Sequence, residues 1–177
     1  CGIDIVKDAF RWAHEADPKA RLFLTDYDVE GVNPKSDAYL ALVKDLLAEG
    51  VPVHGFGIQA HLDNREGAPG SVQANLQRFA DLGLDVAVTE LDVKVPLPMA
   101  IPSQASLRRQ ADVYGSVLDA CLRVSRCTSF TVWGFTDRYS WVPEYRPGYG
   151  SATLMTAEYE AKPALNTSVD RLKQGRR

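Results

Sequence analysis

The sequence predicts an α/β fold, the later half of a TIM (β/α)8 barrel, in which four parallel strands alternate with helices and the chain starts on a helix. Helix and strand patterns alternate at spacings of roughly 30 to 45 residues, as in βα units with parallel strands. Polar residues follow at least three of the strands, at the edge where barrels gather them. The 177 residues are too few for a whole barrel of about 250 residues, and no strand precedes the leading helix. A doubly wound sheet of four strands is the alternative.

The first predicted elements form one helix and one complete βα unit. Apolar residues recur at helical spacing over residues 3–16, and a strand pattern covers residues 21–25. A polar loop over residues 26–31 follows this strand. Ser36 can cap the second helix, whose apolar stripe ends at Gly50.

The next two strands carry most of the candidate site. The second strand covers about 53–60 and runs into His61. Ser71 can cap the third helix, which Gly83 closes. The third strand, over residues 84–93, is rich in β-branched residues, which is typical of a strand covered on both faces.

The remaining elements complete the alternation. A proline-rich loop that includes Pro98 leads into a fourth helix over about 104–124. The fourth strand covers 129–135 and is followed by a long aromatic loop to about residue 150. A closing helix near 162–174 ends the pattern.

Composition bounds the class of protein. With 45% hydrophobic and 24% charged residues, residues 1–177 have the composition of one globular domain. The net charge of −3 provides no basic surface for nucleic acid or an anionic membrane, and no apolar stretch approaches the ~20 residues of a membrane span. Glycines in 54–61 formally fit a dinucleotide fingerprint, but a charged loop follows them instead of a helix. We therefore expect no nucleic acid, no membrane and no cofactor.

The cysteines bear on the cellular compartment. Cys121 lies at the end of a predicted helix and Cys127 at the start of a strand, so the two are close enough to form a disulfide. Two buried free thiols are the alternative, and Cys1 is left without a partner. A disulfide would favour an exported protein.

Two carboxylates lie at the end of the third strand. Glu90 and Asp92 are two residues apart, so strand alternation turns them to one side, while Thr89 and Leu91 take the other. Two acids on one side of a buried strand repel each other, which is typical of functional sites. Ordinary surface acids on a fraying strand are the alternative.

Polar residues of the second strand end at the same edge. Gln59 and His61 share one side of the predicted strand, and His61 could bridge both acids and hold Glu90 ionised and oriented. A metal site made of one histidine and two acids is the rival interpretation, but no His or Cys spacing supports it. We expect no metal.

The fourth strand and its loop add aromatic residues, among them Trp133 and Trp141. Aromatic faces suit the apolar faces of sugar rings, whereas core packing is the alternative for Trp133. Glycoside chemistry usually needs two carboxylates about 5–5.5 Å apart for retention. Asp92 is a poor partner for Glu90 because it lies beside it on one strand end, so the acid is expected outside this chain.

These motifs together resemble a known family. From about residue 22 to 166, the chain is similar to the C-terminal half of glycoside hydrolase family 10, the endo-1,4-β-xylanases. The matching segments, in family order and spacing, are LFLTDYDVEG (22–31), GVPVHGFGIQAHL (50–62), VAVTELDV (86–93), TVWGFTDRYSW (131–141) and YEAKPAL (159–165). The family usually has Asn-Asp-Tyr-Asn where this chain has Thr25 to Asp28.

The resemblance implies a (β/α)8 barrel and retaining hydrolysis of xylan or xylo-oligosaccharides. It implies that Glu90 is the nucleophile, with His61 and Asp92 as its hydrogen-bonded supports. The implied ligand contacts are Gln59 at the cleavage point, Trp133 and Trp141 on the glycone side, and Tyr27 beyond the cleavage point. Cys121 and Cys127 match a short-loop disulfide found in many members.

The resemblance also implies a missing N-terminal half-barrel as partner, with the acid/base glutamate just upstream of residue 1. We therefore expect a partial catalytic domain of a secreted endo-1,4-β-xylanase, inactive alone because it lacks the acid. The alternatives are a non-catalytic half-barrel that acts in binding or scaffolding, and a family member that acts on another β-glycan.

Overall fold

The computed structural model describes residues 2–97 and 101–175, so Cys1 and Pro98 lie outside the described residues. The helices in these ranges are α1 (Asp4–Ala16), α2 (Pro34–Ala48), α3 (Val72–Ala80), α4 (Gln104–Leu122), α5 (Val142–Tyr145) and α6 (Pro163–Gln174). The strands are β1 (Phe23–Asp26), β2 (Gly55–Ile58), β3 (His61–Asp63), β4 (Asp85–Pro96), β5 (Cys127–Val132) and β6 (Tyr149–Gly150). A single 3-10 turn, Asp137–Tyr139, lies between β5 and α5.

Four strands lie side by side and parallel, in the order β1, β2, β4, β5. β3 follows β2 on the same side of β4. It pairs in parallel with a later part of β4, from Asp92 to Lys94. β6 is antiparallel and pairs with the last two residues of β4. The predicted half-barrel of four parallel strands and alternating helices is confirmed, and β3 and β6 are short additions to it.

The apolar core lies between the sheet and the helices that cover it. Phe56 on β2 stacks on Phe79 of α3, with ring centroids 3.7 Å apart. Tyr114 on α4 is fully buried, and its hydroxyl donates a hydrogen bond of 2.9 Å to the carbonyl of Ala152. This packing holds β2 and β4, which carry most of the candidate site, in one register.

Two helix starts differ from the prediction. Asn33 caps α2, because its side chain accepts a 2.9 Å hydrogen bond from the amide of Ser36. The Ser36 hydroxyl in turn accepts a hydrogen bond from the Asn33 amide, which completes a capping box. Ser36 is therefore not the cap, since the helix already begins at Pro34. Ser71 lies at the cap position of α3, but its hydroxyl accepts a 2.9 Å hydrogen bond from Val32 instead.

The connection from α4 to β5 contains a disulfide. Cys121 and Cys127 are bonded, with Cα atoms 5.4 Å apart, so of the two alternatives for these residues the disulfide is confirmed. β5 begins two residues earlier than the predicted 129–135 and ends at Val132, which leaves Trp133 just beyond the strand. None of the helices in the described ranges has the length and apolarity needed to cross a bilayer.

Candidate active site

β4 contains a bulge where it carries Glu90. Val88 of β4 pairs with Ile58, and Asp92 pairs with His61. Between these two pairs β4 advances by four residues, whereas the segment that contains β2 and β3 advances by three. Over the same stretch β4 also has one residue more than β5. A bulge bends a strand and re-aims its side chains, and bulges are frequent next to functional sites. Glu90 therefore lies in an irregular stretch of backbone at the carboxyl edge of the sheet.

Four side chains form a continuous row at this edge. The indole Nε1 of Trp141 donates a 2.6 Å hydrogen bond to Oδ2 of Asp92. Oδ1 of Asp92 lies 3.1 Å from Nδ1 of His61, and Nε2 of His61 lies 3.3 Å from Oε2 of Glu90. The structure thus brings the two predicted carboxylates to one side of β4, where His61 contacts both.

The row favours a protonated His61. Burial alone would lower the pKa of His61, but the close contacts and negative charges of Asp92 and Glu90 outweigh burial and raise this pKa above 6.5. A neutral imidazole donates from one nitrogen only, so carboxylates at both nitrogens favour the imidazolium. Asp92 is only 1% exposed, whereas the Glu90 side chain is 23% exposed. Glu90 is therefore the carboxylate of the row that can meet a ligand.

The chain turns sharply between Gln59 and His61. Ala60 between them is fully buried and has a φ of 67°, a conformation that residues with a Cβ rarely adopt. This turn divides the predicted second strand into β2 and β3, so the prediction of a continuous strand running into His61 is wrong. The carbonyls of Gln59 and Ala60 accept hydrogen bonds from the amides of Glu90 and Asp92, at 3.1 and 3.3 Å. These two hydrogen bonds therefore join the turn at Ala60 to the bulged part of β4.

Both predicted tryptophans stand beside His61. The His61 and Trp141 ring centroids are 5.2 Å apart at an interplanar angle of 72°, and Trp133 lies edge-on at 6.3 Å and 84°. Trp133 is 48% exposed, so it is not a core residue. Trp133 therefore adds a second indole ring beside the row, with surface left for an apolar ligand face.

Three members of the row, His61, Asp92 and Trp141, line a cleft of about 400 Å³, whereas Glu90 is not part of its lining. Gln59, Tyr27 and Trp141, all predicted as ligand contacts, line this cleft. The ammonium group of Lys35 lies 3.9 Å from the ring centroid of Tyr27, so one face of that ring is covered. Three of the four predicted ligand contacts thus line one cleft, and Trp133 lies beside His61 but outside this lining.

Four residues of the cleft were not predicted from the sequence, namely Asp28, Lys94, Val142 and Arg146. Lys94 lies two residues after Asp92, so strand alternation could have indicated it. Asp28 lies in the loop after β1 and has a φ of 55°, which local sequence does not indicate. Arg146 follows the aromatic loop without a recognisable pattern.

A buried ion pair anchors the loop that carries Trp141. The ammonium group of Lys162, a residue only 1% exposed, lies 3.1 Å from Oδ2 of Asp137 and donates a 2.7 Å hydrogen bond to the carbonyl of Ser151. Burial lowers the pKa of Lys162, against the opposing influence of Asp137. Asp137 also accepts a 3.0 Å hydrogen bond from the amide of Thr153. These contacts fix the 3-10 turn just before Trp141.

A metal ion is a poor fit to the row. Both ring nitrogens of His61 face carboxylates, and a protonated ring has no nitrogen lone pair left to bind a metal ion. Across residues 2–97 and 101–175, no three or more His, Cys, Asp or Glu side chains are grouped so as to hold a metal ion.

The fold and the site define a class: proteins built on a (β/α)8 barrel with an oriented carboxylate and indole rings at the carboxyl edge of the strands. The chain belongs to glycosyl hydrolase family 10, whose family model matches residues 1–171. It is 43% identical over 169 residues to an endo-1,4-beta-xylanase of Agaricus bisporus, a match that covers 96% of this chain and 50% of that protein. It is 40% identical over 162 residues to endo-1,4-beta-xylanase B of Thermotoga neapolitana, which covers 92% of this chain and 46% of that protein.

Solved structures show the same relationship. Xylanase 10B from Thermotoga petrophila RKU-1, solved in complex with xylobiose, superposes with a TM-score of 0.93 at 40% identity, over 98% of this chain and 52% of that one. A glycosylated endo-beta-1,4-xylanase from Gloeophyllum trabeum has a TM-score of 0.89 at 38% identity, over 97% and 52% of the two chains. The chain therefore spans about half the length of the relatives it matches.

Proposed function

We propose that the chain carries the nucleophile of a retaining endo-1,4-β-xylanase, an enzyme that hydrolyses internal β-1,4-xylosidic bonds of xylan. The observation that carries this proposal is the row from Trp141 through Asp92 and His61 to Glu90, because it orients one partly exposed carboxylate beside the cleft that His61, Asp92 and Trp141 line. The names of the relatives and the xylobiose in one solved structure support xylan or a xylo-oligosaccharide as substrate.

In this mechanism a Glu90 carboxylate oxygen bonds to the anomeric carbon while the bond to the leaving oxygen breaks. An acid on another segment protonates that oxygen. A water molecule then attacks the anomeric carbon, gives its proton to the same group, and releases Glu90 from the glycosyl ester. The imidazolium of His61 holds the carboxylate in its attacking orientation, and Asp92 holds the imidazolium.

The remaining predicted residues bind substrate in this proposal. Trp133 and Trp141 present indole surface to the sugar rings on the glycone side, since apolar sugar faces pack on aromatic rings. The side-chain amide of Gln59 can hydrogen-bond a sugar hydroxyl next to the scissile bond. Tyr27 presents its uncovered face further along the cleft.

The acid of the catalytic pair would belong to an N-terminal half-barrel that completes the sheet. Among the described residues, β1 pairs only with β2, and β5 only with β4, so each presents one open edge. Open strand edges favour pairing with further strands. Secretion is part of the proposal and is supported by the disulfide between Cys121 and Cys127.

Release of reducing sugar from xylan tests this proposal. The 177-residue chain alone should release none, whereas the chain joined to its upstream coding sequence should hydrolyse xylan. In the joined protein, Glu90→Gln should reduce kcat by several orders of magnitude, and the exposed-site control Glu158→Gln should not. Hydrolysis that survives Glu90→Gln, or that the chain alone performs, would contradict the assignment.

The open edges also favour a second candidate, a half-barrel that acts in binding or scaffolding through pairing with another chain or itself. A soluble monomer in sedimentation of the purified chain would exclude obligatory pairing and so contradict the second candidate. Comparison of xylan with a β-1,4-glucan in the hydrolysis assay would identify a family member with a different substrate.

A further inference from the structure

A buried carboxylate outside the row, that of Glu30, contacts the turn between Gln59 and His61. Oε1 of Glu30 accepts a 3.0 Å hydrogen bond from the amide of Ala60. Glu30 is 5% exposed and Ala60 is fully buried, so water cannot readily replace this acceptor. A buried amide without an acceptor is costly, so Glu30 favours the unusual turn at Ala60.

The loop that carries Glu30 is held on both sides of this residue. Before it, the carbonyl of Val29 accepts a 2.7 Å hydrogen bond from Nδ2 of Asn75 on α3. After it, the amide of Val32 donates a 2.9 Å hydrogen bond to Oγ of Ser71 at the start of α3. Glu30 is therefore placed by α3 and not by the turn that it contacts.

We propose that Glu30 is a positioning residue of the active site and acts through the amide of Ala60. By fixing the turn, Glu30 keeps Gln59 at the cleft. The same turn holds the His61 ring between its two carboxylates. The link to catalysis rests on the proposed function, whereas the link from Glu30 to His61 can be measured without any substrate.

The acceptor oxygen of Glu30 matters more than its charge in this proposal. Burial raises the pKa of Glu30, the charges of Asp28 and His61 raise and lower it respectively, and hydrogen bonds from the Glu30 and Ala60 amides lower it. Both of these partners are neutral amides, which an amide oxygen can also satisfy. Glu30→Gln should therefore preserve the position of His61, whereas Glu30→Ala should release it.

An NMR titration of His61 in the 177-residue chain tests the proposal. The raised pKa of His61 reports its contacts with both carboxylates, and the other two histidines, His14 and His54, serve as internal references. We expect a raised His61 pKa in wild type and in Glu30→Gln, and a clearly lower one in Glu30→Ala than in Glu30→Gln, because both substitutions remove the same charge near His61 and only Glu30→Ala removes the acceptor. Val117→Ala, at a fully buried core position of α4, controls for lost stability and should keep the raised pKa.

Glu30→Asp provides a second variant in case Glu30→Ala does not fold, because it retains the carboxylate but shortens its reach. It should also lower the His61 pKa. An unchanged His61 pKa in folded Glu30→Ala or Glu30→Asp would overturn the proposal, as would an equal loss in Glu30→Gln. Either result leaves the xylanase proposal standing, because that proposal is tested at Glu90.

Discussion

Trp141 donates its indole N–H to the buried carboxylate of Asp92 at 2.6 Å, so a residue predicted to contact sugar also holds the inner end of the row that orients Glu90. The indole surface proposed to bind sugar and the proposed nucleophile are therefore joined by one chain of contacts. A ligand that packs against Trp141 would meet a ring already fixed to this row. Because the Trp141 ring is already fixed, binding of the ligand against it can orient the ligand relative to Glu90.

Replacement of Trp141 by phenylalanine should remove this link while keeping an aromatic ring. Because Asp92 is 1% exposed and would lose a donor, we expect the free energy of unfolding to fall by about 1.5–3 kcal/mol in Trp141→Phe. Urea unfolding measures the change. Trp133→Phe, at a half-exposed ring, is the matched control and should change it by less than about 0.5 kcal/mol. Equal effects of the two substitutions would contradict the role of the indole N–H.

His61 should make the stability of the chain depend on pH. The pKa of His61 is higher in the folded state than the ordinary 6.5, so the folded state binds the His61 proton more tightly than the unfolded state does. The stability from His61 is therefore fully present below pH 6.5 and is lost as pH rises through its folded pKa. Urea unfolding of wild type and of His61→Asn measures this contribution. The difference between their free energies of unfolding should become smaller as the pH rises through this range. His54, whose pKa burial lowers, should show the opposite trend in His54→Asn.

The ion pair of Lys162 and Asp137 should be cooperative. Lys162→Met or Asp137→Asn alone leaves one partner without its counter-charge in a buried position, so each should cost about 3–5 kcal/mol of stability. The double variant should cost less than the sum of the two, because neither charge then remains. A double-mutant cycle in urea measures the coupling. Strict additivity of the two losses would show that the pair does not act as a unit.

Gly57 should not tolerate a methyl group. A Cβ there would lie 2.6 Å from Cγ2 of Thr89 and 2.9 Å from Cγ2 of Thr25, on the strands to either side. Gly57→Ala should therefore destabilise the chain by about 1–3 kcal/mol, and adding Thr89→Ser should recover part of the loss by removing one methyl group. Thermal or urea unfolding detects both changes. Gly70→Ala, where the Cβ meets nothing within 4 Å, is the control and should change stability by less than about 0.5 kcal/mol. A loss at Gly70 as large as that at Gly57 would rule out crowding as the cause.

The sequence predicts the elements of the fold and most of the row because these follow from periodicity and from the common edge of parallel strands. Glu90, Asp92 and His61 could be placed together on that basis. The capping role of Asn33 was also predictable in principle, because Asn followed by Pro is a local signal for a helix start.

The remaining features depend on contacts distant in sequence. Alanine has no local preference for the left-handed conformation of Ala60, which Glu30 and β4 support from elsewhere in the chain. The bulge at Glu90 depends on register with two neighbouring strands, and the two residues of β6 are too few for a period to be recognised.

Mass spectrometry of a trapped glycosyl-enzyme tests the central claim most directly. A 2-deoxy-2-fluoro-xylobioside with a good leaving group needs little help from an acid, and fluorine slows breakdown of the ester. In the protein that joins this chain to its upstream half, we expect the adduct on the peptide that contains Glu90, and none in Glu90→Gln. An adduct on Asp92 or on any other carboxylate would contradict the assignment of Glu90 as the nucleophile.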